Sequence, residues 1–187
     1  MRYTAENLRY LLWNKEIERE EWVTTLAAWL QCSHSRATEL LLSNRRLDPE
    51  EIENLIKAIY FVERDFESMR LIEEDTMDIP LMNLRYLLDS LKRGERKTLA
   101  KSLGVHEVTI SRWYAGSQVP TPRHYQALGE FFGLDRNLDI RTEPIFLSLE
   151  PVTVADRKKW LQERIEQLDT TFLRELFPVL KRLFQED

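Results

Sequence analysis

One hexapeptide occurs twice in this chain. NLRYLL fills residues 7–12 and again residues 83–88, a spacing of 76 (83 − 7). Residues 24–59 then align without a gap with residues 97–132 at a spacing of 73 (97 − 24), so the first copy carries three extra residues (76 − 73) around positions 15–21. Solenoid repeats are shorter, at about 20–50 residues. The chain is therefore predicted to hold two copies of one small helical domain.

The composition is typical of a soluble, helix-rich globular protein with one or two cores. Of the 187 residues, 43% are hydrophobic, 32% are charged and only 5 are glycine, which argues against disorder. The N-terminal residues lack the apolar run of a signal peptide, and no uncharged apolar stretch approaches the roughly 18 residues of a membrane span. The single cysteine, Cys32, cannot form an internal disulfide, so a cytoplasmic location is predicted.

The net charge of −5 is spread unevenly along the chain. Residues 1–76 hold 10 Lys and Arg against 16 Asp and Glu, whereas residues 77–140 hold 9 against 7 and residues 141–187 hold 8 against 9. The second copy is therefore the basic part of an acidic chain. A polyanionic partner is expected to bind there.

Helical spacing and turn residues define the second copy. Four short helices are predicted, over residues 81–91, 96–103, 106–114 and 121–132. Gly104 permits a left-handed turn between the second and third helices. Thr121 and Pro122 are a helix cap followed by proline at the first helical position, and Asp48 and Pro49 repeat this signal in the first copy.

The segment LAKSLGVHEVTISRWYAGSQVPTP resembles the helix-turn-helix of the lambda-repressor/Cro family. The residues that carry the resemblance are Gly104, Ile110, Trp113, Gly116 and Pro120 or Pro122. It covers residues 81–139 well and residues 7–62 more loosely. The resemblance implies an all-α fold of tandem helix-turn-helix domains that bind double-stranded DNA, and, since most members of this family are transcriptional regulators, a role in regulating transcription.

The resemblance also assigns roles to individual residues of the second copy. Ile110 and Trp113 correspond to core positions, and Glu107, Val108 and Arg112 to the outward face of the recognition helix. Phosphate contacts are implied for Arg96, Lys97, His106, Thr109 and Ser117.

The chemistry of the three outward residues suits base readout. Arg112 has the donors for guanine O6 and N7, Glu107 can accept from cytosine N4, and Val108 can pack on a thymine methyl group. Each has an alternative. Arg112 can be a solvated surface residue, and the charge of Glu107 also suits a helix N-terminus. His106 is a cap or a phosphate neighbour, because no histidine or cysteine spacing here predicts a metal site.

The first copy keeps its core but changes its outer face. Val23, Glu39, Ser43 and Gln31 stand where the second copy has Arg96, Arg112, Gly116 and Gly104. Base contacts are still predicted for His34 and Ser35, and phosphate contacts for Arg36, Arg45 and Arg46. Seven glutamates accompany these residues: Glu16, Glu18, Glu20, Glu21, Glu50, Glu51 and Glu53. Weak DNA binding or a docking role is therefore expected for this copy.

Two further segments complete the predicted organisation. Residues 63–78 contain no Gly or Pro and are predicted to continue the last helix of the first copy as a spacer. The run between Pro144 and Pro151 is an extended arm or a buried loop. Thr153 begins a helix with the apolar residues Trp160, Leu161, Ile165 and Leu168 on one stripe. The domain ranges are 1–76, 77–140 and 141–187, the last holding the arm and the tail helices.

A second tail helix follows Thr170 and Thr171. Its apolar residues are Phe172, Leu173, Leu176, Phe177, Leu180, Leu183 and Phe184. Pro178 is predicted to kink this helix or to begin a new segment. The apolar face is too wide to stay in water. It is expected either to pack on the second copy or to form a homodimer interface.

These features predict a sequence-specific DNA-binding protein, cytoplasmic and at the nucleoid when bound. The alternative is an assembly or protein-interaction factor that keeps the fold without reading DNA. No phosphate loop, metal spacing or nucleophile–base pair predicts an enzyme, and no cofactor, small-molecule ligand or membrane partner is indicated.

Overall fold

The computed structural model describes residues 3–60, 66 and 68–183. Across these residues the regular secondary structure is helical, with 66% helix and no strand. This confirms the predicted all-α class. The helices are α1 (Thr4–Asn14), α2 (Trp22–Leu30), α3 (His34–Leu42), α4 (Pro49–Ile59), α5 (Leu71–Glu74), α6 (Ile79–Asp89), α7 (Glu95–Leu103), α8 (Glu107–Tyr114), α9 (Pro122–Phe132), α10 (Val154–Glu166) and α11 (Thr170–Leu183). Short 3₁₀ helices cover Arg19–Glu21 and Ile145–Leu147.

The two sequence copies form corresponding helices. At the spacing of 73, α2, α3 and α4 begin at the positions of α7, α8 and α9. Gly104 ends α7 in the left-handed conformation with φ 66°, and Gln31 adopts φ 54° at the end of α2. The amide of Val105 donates to Ala100 O over 3.0 Å, as the amide of Cys32 does to Ala27 O. The first copy therefore keeps the turn although it lacks the glycine.

The folded chain divides into two compact units that cut across the order of the sequence. One unit contains Met1–Asn83 and Ile140–Leu149, and the other contains Leu84–Asp139 and Glu150–Asp187. The first unit is built around the fully buried Leu8, Leu12, Trp22, Leu26 and Leu40. The second unit is built around Leu84, Leu87, Leu99, Ile110 and Trp113. The predicted domain ranges describe repeats, not packing units, and stay predictions.

A buried asparagine in each NLRYLL hexapeptide holds a later chain segment. The side-chain amide of Asn7 donates to Phe66 O (2.6 Å) and Met69 O (2.7 Å), and its oxygen accepts from the amide of Leu71 (3.0 Å). Asn83 repeats this pattern. Its amide donates to Ile140 O and Glu143 O, both over 2.7 Å, and its oxygen accepts from the amide of Phe146 over 3.3 Å. The internal repeat thus extends one segment beyond the aligned residues.

The prediction of a helical spacer over residues 63–78 is wrong for the described residues. α4 ends at Ile59, because Tyr60 adopts the left-handed conformation with φ 53°. Phe66, Leu71 and Ile72 are 2%, 7% and 0% exposed, so the segment packs into the first unit. Residues 63–65 and 67 of this prediction lie outside the described residues.

The tail combines a buried turn with two exposed helices. Ile145, Phe146 and Leu147 are buried, which confirms the buried-loop alternative for residues 144–151. Thr153 caps α10, and its hydroxyl accepts from the amide of Asp156. No residue of α10 or α11 is buried, so of the two alternatives for these helices, the one in which they enlarge the core of the second copy does not hold for the described residues. α11 runs through Pro178 without ending, which excludes a new segment there, and Phe184 lies outside the described residues. No helix in the described parts of the chain is long and apolar enough to cross a membrane.

Candidate nucleic-acid interface

The helix α8 is built to present one face outward. Its inward residues, Ile110 and Trp113, are each 1% exposed, whereas Val108 is 60% exposed. Glu107 and Arg112 are also exposed, and no described group pairs with the guanidinium of Arg112. The three residues predicted to read bases therefore lie on the solvent side of α8, as helical spacing requires when Ile110 and Trp113 anchor the other side.

The residues predicted to contact phosphates lie around the two ends of α7 and α8. Arg96 and Lys97 are exposed in the first turn of α7, and His106 is the exposed residue that precedes α8. Thr109 is half-buried. The hydroxyl of Ser117 donates to the carbonyl oxygen of Arg112 over 3.2 Å, so Ser117 caps the end of α8. Helix starts leave backbone N–H groups without helical partners, and these groups can donate to phosphate oxygens.

The sequence did not indicate that Arg96 has neighbours within its own unit. Its guanidinium carbon lies 5.3 Å from the ring centroid of Tyr114, and one of its nitrogens lies 3.9 Å from Asp89 Oδ1. Arg85, within the hexapeptide, donates to the carbonyl oxygen of Tyr114 over 3.0 Å. The recurrence of an arginine at this hexapeptide position was the available signal for a role in packing.

In the first copy, His34 and Ser35 lie exposed at the start of α3. The preceding residue, Ser33, caps the helix by accepting from the amide of Arg36 over 3.2 Å. The hydroxyl of Thr38 donates to the carbonyl oxygen of His34 over 2.9 Å. The positions predicted to read bases are thus accessible, but the cations beside them are arranged differently from those of the second copy.

The basic side chains of the first copy are engaged within it. Arg36 donates to both carboxylate oxygens of Glu51, over 2.9 and 3.0 Å, and to Glu39 over 3.2 Å. It also donates to the carbonyl oxygen of Arg46 over 2.8 Å. Arg45 pairs with the other oxygen of Glu39 over 3.1 Å. The phosphate contacts predicted for Arg36, Arg45 and Arg46 stay predictions. To contact a phosphate, Arg36 and Arg45 would have to break their ion pairs with Glu39 and Glu51.

Hydrogen bonding ties the ionisation of this network to the fold. Hydrogen bonds to Glu51 raise the pKa of Arg36 despite burial. Burial by itself raises the pKa of the Glu51 carboxyl, but hydrogen bonds from Arg36 and from the Asp48 amide outweigh it and lower that pKa. Glu51 is 7% exposed. The ion pair is therefore a structural part of the first copy, linking α3 to α4.

Replacing Glu51 by glutamine should lower the free energy of unfolding by about 1–3 kcal/mol at neutral pH, because Arg36 loses a charged partner. Because the pKa of Glu51 is lower in the folded than in the unfolded chain, its carboxylate stabilises the fold at pH values above the unfolded pKa of about 4.3. This stabilisation is lost as the pH falls through the folded-state pKa. Urea unfolding at pH 7 and at pH 3 tests both statements. The difference in the free energy of unfolding between the parent and Glu51→Gln should be smaller at pH 3 than at pH 7, and Glu50→Gln, at an exposed position, should change this free energy far less. An equal difference at both pH values would contradict the structural role of the ion pair between Arg36 and Glu51.

Within residues 3–60, 66 and 68–183, no group of three or more His, Cys, Asp or Glu side chains is arranged to hold a metal ion. No protein-family model matches the chain, and neither the curated proteins nor the solved structures compared with it include a significant match.

Proposed function

We propose that this chain is a sequence-specific DNA-binding protein, and a transcriptional regulator, in which α7 and α8 act as a lambda-repressor-like helix-turn-helix. The observation that carries the proposal is the two-sided character of α8. Its inner side is anchored by Ile110 and Trp113, while Val108 is 60% exposed and Arg112 is unpaired among the described residues. An exposed valine and an unpaired arginine on one short helix suit the edges of bases in a major groove.

In this proposal, α8 lies in the major groove and α7 crosses the backbone. Arg112 donates to guanine, Val108 packs on a thymine methyl group, and Glu107 accepts from cytosine. Arg96 and Lys97 bind phosphates and set the register of the helix without carrying sequence information. His106, Thr109 and Ser117 lie near the ends of α8, where they add polar contacts to the same backbone.

The second copy is proposed as the main reader and the first copy as a minor one. In the first copy Glu39 occupies the position of Arg112 and pairs with both Arg36 and Arg45. A phosphate approaching α3 would have to displace these carboxylates, and residues 1–76 carry the acidic balance. Phosphate neutralisation dominates duplex affinity. Contacts by His34 and Ser35 would therefore add to a complex that the second copy has already formed.

A homodimer through the tail is the second part of the proposal. Nine large apolar side chains of α10 and α11 are each at least 38% exposed: Val154, Trp160, Leu161, Ile165, Phe172, Leu173, Phe177, Val179 and Leu183. Monomers rarely leave an apolar patch larger than a few hundred Å² in water. Pairing two copies of this surface about a twofold axis would bury it and would match two half-sites of a pseudo-palindromic operator.

Selection of duplexes from a random pool, followed by fluorescence anisotropy on the full chain, tests the proposal. Arg112→Ala should weaken binding to the selected duplex by about 1–3 kcal/mol and relax the preference at one base pair, because a bidentate base contact is lost. Arg96→Ala should weaken binding to all duplexes about equally and reduce the slope of log affinity against log salt concentration by about one unit. Thermal unfolding of both variants should match the parent, since neither side chain is buried.

The matched control is Arg136→Ala, an exposed arginine of the second copy outside α7 and α8. It should leave both the affinity for the selected duplex and its sequence preference unchanged. If the folded Arg112→Ala variant binds the selected duplex as the parent does, the base-reading role is wrong. If the parent selects no duplex at low salt, the chain is better explained as an assembly factor.

A further inference from the structure

Three side chains of the second unit, those of Arg85, Arg96 and Asp89, surround Tyr114, the last residue of α8. The guanidinium carbons of Arg96 and Arg85 lie 5.3 and 5.9 Å from its ring centroid. The phenol hydroxyl of Tyr114 donates to Asp89 Oδ2 over 3.3 Å. Arg96 lies 3.9 Å from Asp89 Oδ1, and the side chains of Arg96 and Asp89 are 46% and 56% exposed. The cluster is accessible to a ligand.

Each member of the cluster has a distinct physical role. Arg85 donates to the carbonyl oxygen of Tyr114, which fixes the position of this residue at the end of α8. The ring then offers its negative face to the guanidinium of Arg96, an attraction that favours a subset of arginine rotamers. A free arginine loses considerable rotamer entropy when it binds a phosphate. A side chain already held on a ring loses less of it.

Asp89 acts in the opposite direction. Its carboxylate competes with a DNA phosphate for Arg96, and the hydroxyl of Tyr114 holds this carboxylate in place. A phosphate oxygen that binds Arg96 must replace this partner. Exposed ion pairs of this kind are weak, so the exchange is reversible and its effect on affinity is modest.

The first copy keeps the hexapeptide arginine as Arg9 but lacks the other three members of the cluster. At the spacing of 73, Leu41 stands for Tyr114 and Val23 for Arg96, and at the hexapeptide spacing of 76, Trp13 stands for Asp89. Leu41 is fully buried. Ring, cation and carboxylate are therefore present together in one copy and absent together from the other, which is what a shared role predicts.

We propose that Tyr114 is a positioning residue for the phosphate contact of Arg96, and that Asp89 is a competing anion which Arg96 exchanges for a DNA phosphate. This inference rests on the proposed function, because it concerns the duplex that α7 and α8 bind. Tyr114 sets the affinity of the complex without reading a base. Asp89 limits that affinity for specific and non-specific DNA alike.

The test uses the full chain with Tyr114→Leu, Tyr114→Phe and Asp89→Asn, each in the parent and in the Arg96→Ala background. Affinities for the selected duplex and for a random duplex are measured by anisotropy across a series of salt concentrations. Tyr114→Leu should lower the affinity for both duplexes about two- to fivefold, because the ring under Arg96 is lost. Asp89→Asn should raise the affinity for both duplexes by about the same factor. Tyr114→Phe should keep most of the affinity of the parent.

The decisive result is the behaviour of these variants without Arg96. In the Arg96→Ala background, Tyr114→Leu and Asp89→Asn should leave the affinity unchanged, since both act through that side chain. Equal effects in both backgrounds, or an effect on only one duplex, would overturn the positioning role while leaving the proposed function in place. A parent chain that binds no duplex would overturn both. If Tyr114→Leu lowers the melting temperature, Tyr114→Phe and Asp89→Asn decide the matter.

Discussion

Replacing Asn83 by alanine should lower the free energy of unfolding by about 3–5 kcal/mol, because one buried carbonyl oxygen, one partly buried carbonyl oxygen and one buried amide lose their partner together. Asn83 is 0% exposed, and its three hydrogen bonds join α6 to residues 140–146. Asn7→Ala should have a similar effect through residues 66–71. Small proteins are stable by only about 5–15 kcal/mol. Urea unfolding followed by circular dichroism measures both changes.

Two controls separate the hydrogen bonds from the loss of side-chain volume. Asn83→Asp keeps the shape but turns a donor into an acceptor facing two carbonyl oxygens, so it should also destabilise the fold. Asn137→Ala removes an exposed asparagine of the second unit and should change the free energy of unfolding by less than about 0.5 kcal/mol. A loss below about 1 kcal/mol for Asn83→Ala would mean that water replaces the side chain.

The helices of the second copy were predictable because capping and turn residues mark where several of them begin and end. Gly104 fixes the end of α7, and Thr121 and Pro122 fix the start of α9. The observed bounds of α7, α8 and α9 differ from the predicted ones by a residue or less, whereas α6 lies two residues before its predicted range of 81–91. The segments held by Asn7 and Asn83 were not predicted. Residues 66–72 and 140–146 share little sequence, because the asparagines bind their backbone and leave no side-chain pattern to recognise. A polar residue recurring within a leucine-rich helix was the only signal.

The candidate interface was predictable where exposure follows from helical spacing. The outward position of Val108 follows from the inward positions of Ile110 and Trp113. The partners of the cations were not predictable. Arg36 meets Glu51 from the next helix, and Arg96 meets Asp89 and Tyr114 from two other helices. Such contacts depend on how helices pack, which no local pattern of charge in the chain reports.

The double variant Phe172→Glu/Phe177→Glu should raise the dissociation constant of the proposed tail dimer at least about 100-fold. At about 100° per residue, the apolar side chains of α11 occupy roughly one half of the helix surface, and the charged residues occupy the other. Phe172 and Phe177 are 51% and 60% exposed, so each presents apolar surface to a partner. A carboxylate buried there without a counter-ion costs several kcal/mol. Sedimentation equilibrium across micromolar concentrations measures the shift.

The matched control, Gln162→Glu/Thr171→Glu, adds the same charge at exposed polar positions of α10 and α11 and should leave the dimer intact. The two doubles also separate association from folding. No residue of α10 or α11 is buried, so thermal unfolding of the monomer should be unaffected. On DNA, the Phe172→Glu/Phe177→Glu variant should lose affinity for paired half-sites but keep affinity for a single half-site, because the second contact is no longer intramolecular. A parent chain that is monomeric at micromolar concentration would contradict the dimer, whereas the contacts of Arg112 and Arg96 would stand on a single half-site.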